Sequence, residues 1–240
     1  MTLKGLLPLA LLTLALGCQF ERLQQVRVAQ EMKALEQVMA KGQPLPPLPA
    51  DPARFGPYWP LLEHMHTQAT RLQAASQKVE SLSQGDRVGL APDRLVEAAH
   101  RLKEHERLGA LVQNLEVALD AEDELVGAKG QAFVQGLAID GAFKRGIVNG
   151  FQGQGKTLDL LLSIMRQKRD YYRMMEGIVT LADQGLEGRD PAGKLRFRTQ
   201  EQVTAYSNAI AEFKQAEARL NEDVVRFQAQ RKVGVNSSGS

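Results

Sequence analysis

The chain has 240 residues, 43% of them hydrophobic, 24% charged and 5% aromatic, with a formal charge of +2. That describes one sizeable domain or two small ones, and it excludes a multi-span membrane protein and a strongly basic nucleic-acid footprint. The single cysteine excludes an intramolecular disulfide and any cysteine-rich metal site.

The chain opens with one cation, Lys4, followed by GLLPLALLTLAL over residues 5–16. About a dozen apolar residues is the length of a signal-peptide core and is short for a bilayer span. The run ends Ala15-Leu16-Gly17-Cys18, and the first acid follows at Glu21. A small residue followed by the lone cysteine resembles a bacterial lipobox. The resemblance implies a signal peptide over residues 1–17, cleavage between Gly17 and Cys18, a diacylglycerol on the Cys18 sulfur and a further acyl chain such as palmitate on the new amine. Several acyl chains anchor stably where one is marginal. The match departs from the pattern at Ala15, where Leu is usual, and in having Lys4 as its whole positive region. The competing reading is an ordinary cleaved signal or an uncleaved anchor, with Cys18 incidental. Gln19, not Asp, follows the cysteine, which by the enteric rule points to the outer membrane, facing the periplasm.

Residues 18–41 read as an N-terminal, membrane-proximal helix: no Pro or Gly interrupts 21–41, and Leu23, Val26, Met32 and Leu35 form a rough stripe. Gly42 stops it. Residues 42–60 hold seven of the ten prolines and read as an extended linker separating that helix from the body, with Phe55, Tyr58 and Trp59 as pins at its end. Residues 61–232 read as the bundle domain, and 233–240 as a disordered tail. In the bundle, Leu61, Met65, Leu72, Val79 and Leu82 step by combinations of three and four. A second helix restarts at Pro92 and runs through Leu95, Leu102, Leu108, Leu111, Leu115 and Leu119. A third spans 158–184. The last starts near Thr199, read as its N-cap, with Glu201 and Gln202 in the first turn and a seam of Tyr206, Ile210, Phe213, Leu220, Val224 and Phe227. No segment alternates long enough to predict a strand. The expected fold is all-α, an elongated antiparallel bundle of four or more long helices.

The sharpest chemical motif is Gly150-Phe-Gln-Gly-Gln-Gly155-Lys156-Thr157, which fits the phosphate-binding pattern G-x-x-x-x-G-K-[ST]. In a true P-loop Lys156 reaches the outer phosphates and Thr157 holds magnesium. The context opposes it, because a P-loop follows a buried strand and here Lys144 and Arg145 lie just upstream. Residues 127–155 are glycine-rich throughout, which read as a glycine-broken helix followed by a loop, or alternatively as an interaction surface. His64 and His66 are two apart and His100 and His105 five apart, both poor for one metal. Asp120, Glu122, Asp123 and Glu124 read as a solvated helix end. Arg166, Lys168, Arg169 and Arg173 read as a solvated cationic face, with an anionic or acidic partner as the alternative. No G-x-S-x-G occurs.

Ala50-Asp51 through Phe55-Gly56-Pro57-Tyr58, and Phe197-x-Thr199-x-x-Gln202-x-x-x-Tyr206-x-x-x-Ile210, together with the lipobox-like end, resemble a family of uncharacterised all-helical bacterial lipoproteins of unknown function. The order of elements is similar over most of the chain; the glycine-rich middle departs from it. The resemblance implies no catalytic residues. The expectation is therefore a lipid-anchored protein of the bacterial cell envelope, attached through Cys18, that is a structural or protein-binding module and not an enzyme. It expects an envelope protein partner, no nucleic acid, no metal and no cofactor. The alternatives are a nucleotide-binding protein using Gly150 to Thr157, and an envelope enzyme with an unrecognised site.

Overall fold

The computed structural model describes residues 19–84, 90–153 and 155–237. The signal-peptide reading of residues 1–17, and Cys18 with it, lies outside the described residues. The fold is all-α: α1 (Gln19–Lys41), α2 (Trp59–Leu82), α3 (Pro92–Leu95), α4 (Ala98–Val126), α5 (Ala128–Gly136), α6 (Gly141–Gly153), α7 (Gly155–Gly185) and α8 (Gln200–Ser237), with one two-stranded hairpin between α7 and α8. Among the described residues no helix is long and apolar enough to cross a membrane. The body expected over 61–232 divides into two compact units. One gathers the described residues up to Gln77 with Val117–Asp159; the other gathers Lys78–Glu116 with the described residues from Leu160 onward.

In the first unit α1 buries Val28, Met32 and Leu35, one stripe at steps of four and three. Gly42, at φ +63°, ends it: the Gly42 and Gln43 amides donate to Met39 O and Val38 O, both at 3.0 Å, closing a Schellman turn that only a left-handed residue completes easily. The proline-rich stretch is not the spacer expected from composition. Prolines cannot donate, so side chains of α2 bind the stretch instead. Gln73 donates to Gln43 O at 2.6 Å and accepts from Leu45 N at 3.3 Å, and His66 Nε2 lies 2.6 Å from Pro46 O. Asp51 caps a short turn at Pro52–Arg54 by accepting from Ala53 N. Phe55 and Tyr58 are buried, as their role as pins requires. Gln25, itself buried, donates to Tyr58 Oη at 2.7 Å, and the Tyr58 ring meets Phe143 edge-on with centroids 5.0 Å apart. The N-terminal helix, the proline stretch and α2 thus share one core.

The glycine-rich middle is a glycine-broken helix, α5 and α6 with a break at 137–140, and helix continues through 141–153 where the loop was expected. Gly130 lets α5 approach α4 closely, because a Cβ there would lie 2.6 Å from Glu124 O. Asp140 caps α6 by accepting from Phe143 N at 2.8 Å. Phe143, Ile147 and Phe151, spaced four and four, then face the interior. Glycine costs helix stability, and this buried aromatic face offsets it.

In the second unit Leu108, Leu111 and Leu115 of α4 and Leu161, Met165, Tyr172, Met175 and Val179 of α7 are all buried. Arg107 bridges its own Glu104 at 2.7 Å and the α2 terminal carbonyl of Leu82 at 2.7 Å. The hairpin was not expected from sequence: β1 (Leu186–Arg189) pairs antiparallel with β2 (Leu195–Phe197). Its tight connection uses Gly193 at φ +80° and an Asp190 carboxylate accepting from Lys194 N at 2.8 Å. The expected cap at Thr199 is present as a reciprocal capping box: Gln202 N donates to Thr199 Oγ1 and Thr199 N donates to Gln202 Oε1, each at 3.2 Å.

Candidate functional site

An open cleft of about 470 Å³ lies between α7 and α8 in the second unit. It exists because α8 is incompletely covered. Its seam residues Tyr206, Ile210, Phe213, Leu220 and Val224 lie on one face as the spacing predicts, yet each is only half-buried, and Phe227 alone of the described α8 side chains is buried. Ring contacts hold α8 in place: Tyr171 meets Phe213 at 4.8 Å, and Phe197 meets Tyr206 at 5.0 Å. Tyr171 and Met174 of α7 and Ala216 of α8 give the cleft its apolar lining.

The polar lining is unevenly satisfied. Gln167 Nε2 donates to Asp223 Oδ2 at 2.7 Å and to Ser163 Oγ at 3.2 Å. Its Oε1 is closed off from solvent and accepts no hydrogen bond. Asp223 is also paired through Oδ1 with Arg226 at 3.2 Å. Asp170 binds Arg169 at 2.9 Å and Arg173 at 3.8 Å, both through Oδ1. Arg219 and Glu222 also line the cleft and have no ion pair among the described residues. The cationic run is therefore largely committed: Arg169 and Arg173 are paired, Arg173 also with Glu116, and Lys168 sits 5.8 Å over the Tyr172 ring.

The acidic cluster on α4 is not the uniform solvated end expected from its composition. Arg71 and Lys129 bind Asp120, and Lys129 first, then Arg71, hold its carboxyl below the usual carboxylate range. Glu122 is 0% exposed, and neither of its oxygens has a hydrogen-bond partner. Burial pushes its carboxyl up to about 8. The signal that finds it is spacing. Glu122 stands four residues after Ala118 and three before Leu125, on the buried stripe, whereas its acidic neighbours point elsewhere. A protonated carboxyl is the form such a setting tolerates.

The histidines act as local ties. His64 Nε2 lies 2.9 Å from Glu124 O and its ring stacks on Phe133 at 3.9 Å. His105 Nε2 lies 2.8 Å from Asp183 Oδ2, and Arg101 holds the other oxygen of that carboxylate while also donating to Leu95 O at 2.7 Å at the end of α3. Burial alone would push the Asp183 carboxyl up, but the hydrogen bonds from Arg101 and His105 outweigh it and hold it low. Among the described residues no three His, Cys, Asp or Glu side chains converge as metal ligands do.

The P-loop-like string does not have a phosphate cradle's backbone. Gly150–Gly153 close α6 and Gly155–Thr157 open α7, with residue 154 outside the described residues. A cradle needs an open loop after a strand so that successive amides point at the phosphates. Here helix precedes the string, and the amides of 150–153 belong to α6. No protein-family profile, curated protein or solved structure matches the chain.

Proposed function

We propose that this protein is a lipid-anchored component of the bacterial cell envelope that binds a segment of a partner protein, and that it is not an enzyme. The observation that carries the binding role is the cleft between α7 and α8, where an apolar lining adjoins Arg219 and Glu222, which have no ion pair among the described residues. An apolar groove between helices is one recurring receptor for a partner's amphipathic segment. The anchor rests on the sequence: a short apolar run ending at Gly17-Cys18, with charge resuming at Glu21, and the resemblance to all-helical lipoproteins stated above. An outer-membrane position facing the periplasm rests on Gln19. No observation favours the nucleotide-binding alternative.

The test is metabolic labelling with a clickable fatty acid, comparing the wild type with Cys18→Ala. Label on the wild type that vanishes in the variant, with the protein in the envelope fraction, is the expected result. An unlabelled, full-length wild type in the cytosol overturns the anchor.

A further inference from the structure

We infer that the outer face of α1 lies on an anionic phospholipid surface, so that the membrane holding the anchor is also the surface on which the first unit docks. This rests on reading Cys18 as the lipid-bearing residue. The packed face of α1 is Gln24, Gln25, Val28, Met32 and Leu35, all buried. The opposite stripe runs Leu23, Val26, Gln30, Lys33, Gln37 and Lys41, at steps of three and four, and is exposed throughout. Its first two members are large apolar side chains, each 45% exposed. They stand five and eight residues after Cys18. At 1.5 Å per helical residue the farther one is only about 12 Å along the chain from the anchor. Gln24, six residues after Cys18, is already buried in the body, so no spacer lifts this face away from the bilayer.

The charges select the same occupant. Arg22 and Arg27, both half-buried, flank the Leu23–Val26 pair on either side. Arg27 donates to Arg54 O at 3.4 Å, which brings the Pro52–Arg54 turn and its exposed arginine beside the helix. None of Arg22, Arg27, Arg54, Lys33 and Lys41 has an ion pair among the described residues. Glu31 and Glu36 are half-buried beside the packed face, and no described side chain of the exposed stripe is acidic. An apolar centre with cations at its edges is the pattern of a helix lying in the headgroup layer, where Arg stems run along the acyl boundary and the guanidinium groups reach the phosphates. Anionic lipid attracts each such cation further. A second copy is the poorer occupant, because a two-fold contact through this face sets the same unneutralised cations against one another.

The experiment uses the chain from residue 18 on, which contains every described residue, with Cys18→Ser to remove the anchor and Gln30→Cys to carry an environment-sensitive fluorophore on the only thiol. Vesicles of phosphatidylglycerol and of phosphatidylcholine are titrated separately. The expected result is a saturable blue shift with phosphatidylglycerol, about tenfold or more weaker with phosphatidylcholine, and weakened about as much by Leu23→Ser/Val26→Ser and by Arg22→Gln/Arg27→Gln. No shift, or equal shifts with both vesicles, overturns the inference. A dimer in sedimentation equilibrium that Leu23→Ser/Val26→Ser dissolves, without a lipid response, overturns it and gives the face to a second copy. Fatty-acid labelling of the wild type separates this inference from the anchor. A lipid response in a protein that carries no fatty acid overturns the anchor and leaves the docking face standing. A fatty acid on Cys18 without a lipid response overturns the docking face and leaves the anchor standing.

Discussion

Gln167 and Asp223 join α7 to α8 by a 2.7 Å hydrogen bond between residues 56 positions apart in the chain. It is a directional tie beside the cleft, where the α8 seam is only half-covered. Asp223→Ala is expected to cost about 1–3 kcal/mol, since the bond is charge-assisted and its loss leaves the Gln167 amide poorly satisfied. Amide hydrogen exchange should rise in the second half of α8 and stay unchanged in α1. A uniform rise across the chain would contradict this local assignment.

Glu122 makes stability depend on pH with an unusual sign. An unfolded glutamic acid ionises near 4.5, and the folded one near 8. Between those values the unfolded chain has released a proton that the folded chain keeps. Stability therefore falls as pH rises from about 4.5 to 8, by up to ~1.4 kcal/mol per unit, and levels off above. Glu122→Met is expected to abolish that slope and to be the more stable protein at pH 8. Urea titrations at pH 5, 6.5 and 8 measure it, and an unchanged slope in the variant would sink the assignment.

Gly56 sits at φ +53°, and a Cβ there would lie 2.5 Å from the buried Gln24 amide. Gly56→Ala should destabilise by about 1–3 kcal/mol. Adding Gln24→Ala removes the clash but not the backbone strain, so the double variant should recover only part of the loss relative to Gln24→Ala alone. Full recovery would show that the left-handed conformation carries no penalty.

The Thr199–Gln202 capping box predicts two separate losses that do not add. Thr199→Ala and Gln202→Ala should each cost about 1 kcal/mol. The double variant should cost measurably less than their sum, since each substitution breaks one of two mutually supporting bonds. A double-mutant cycle in urea reads the coupling, and strict additivity would refute the reciprocal arrangement.

The helices were legible because their apolar residues recur at combinations of three and four: Leu61, Met65 and Leu72, or Leu108, Leu111 and Leu115, are all buried as spaced. The cap at Thr199 was legible because its chemistry is local. The hairpin was not, since LEGR and LRF are too short to display alternation and depend on a turn closed by Asp190 and Gly193. Glu122 was misread because four neighbouring residues include three other acids, and composition outweighed the stripe on which it stands. The cleft was illegible in principle. The α8 seam is correctly patterned, but a pattern states which face turns inward and not how completely another element covers it.

The stretch from Gln43 to Ala50 carries a consequence for the protein's behaviour in crowded surroundings. It is an outlying run of chain without helix or strand, the kind of segment that ordinarily offers a row of free amides and carbonyls to a neighbouring molecule. Pro44, Pro46, Pro47 and Pro49 remove four of its donors outright. Gln73 and His66 occupy Leu45 N, Gln43 O and Pro46 O. Leu48 and Ala50 are then the donors left over in the run, too few to make it a long template for an intermolecular ladder.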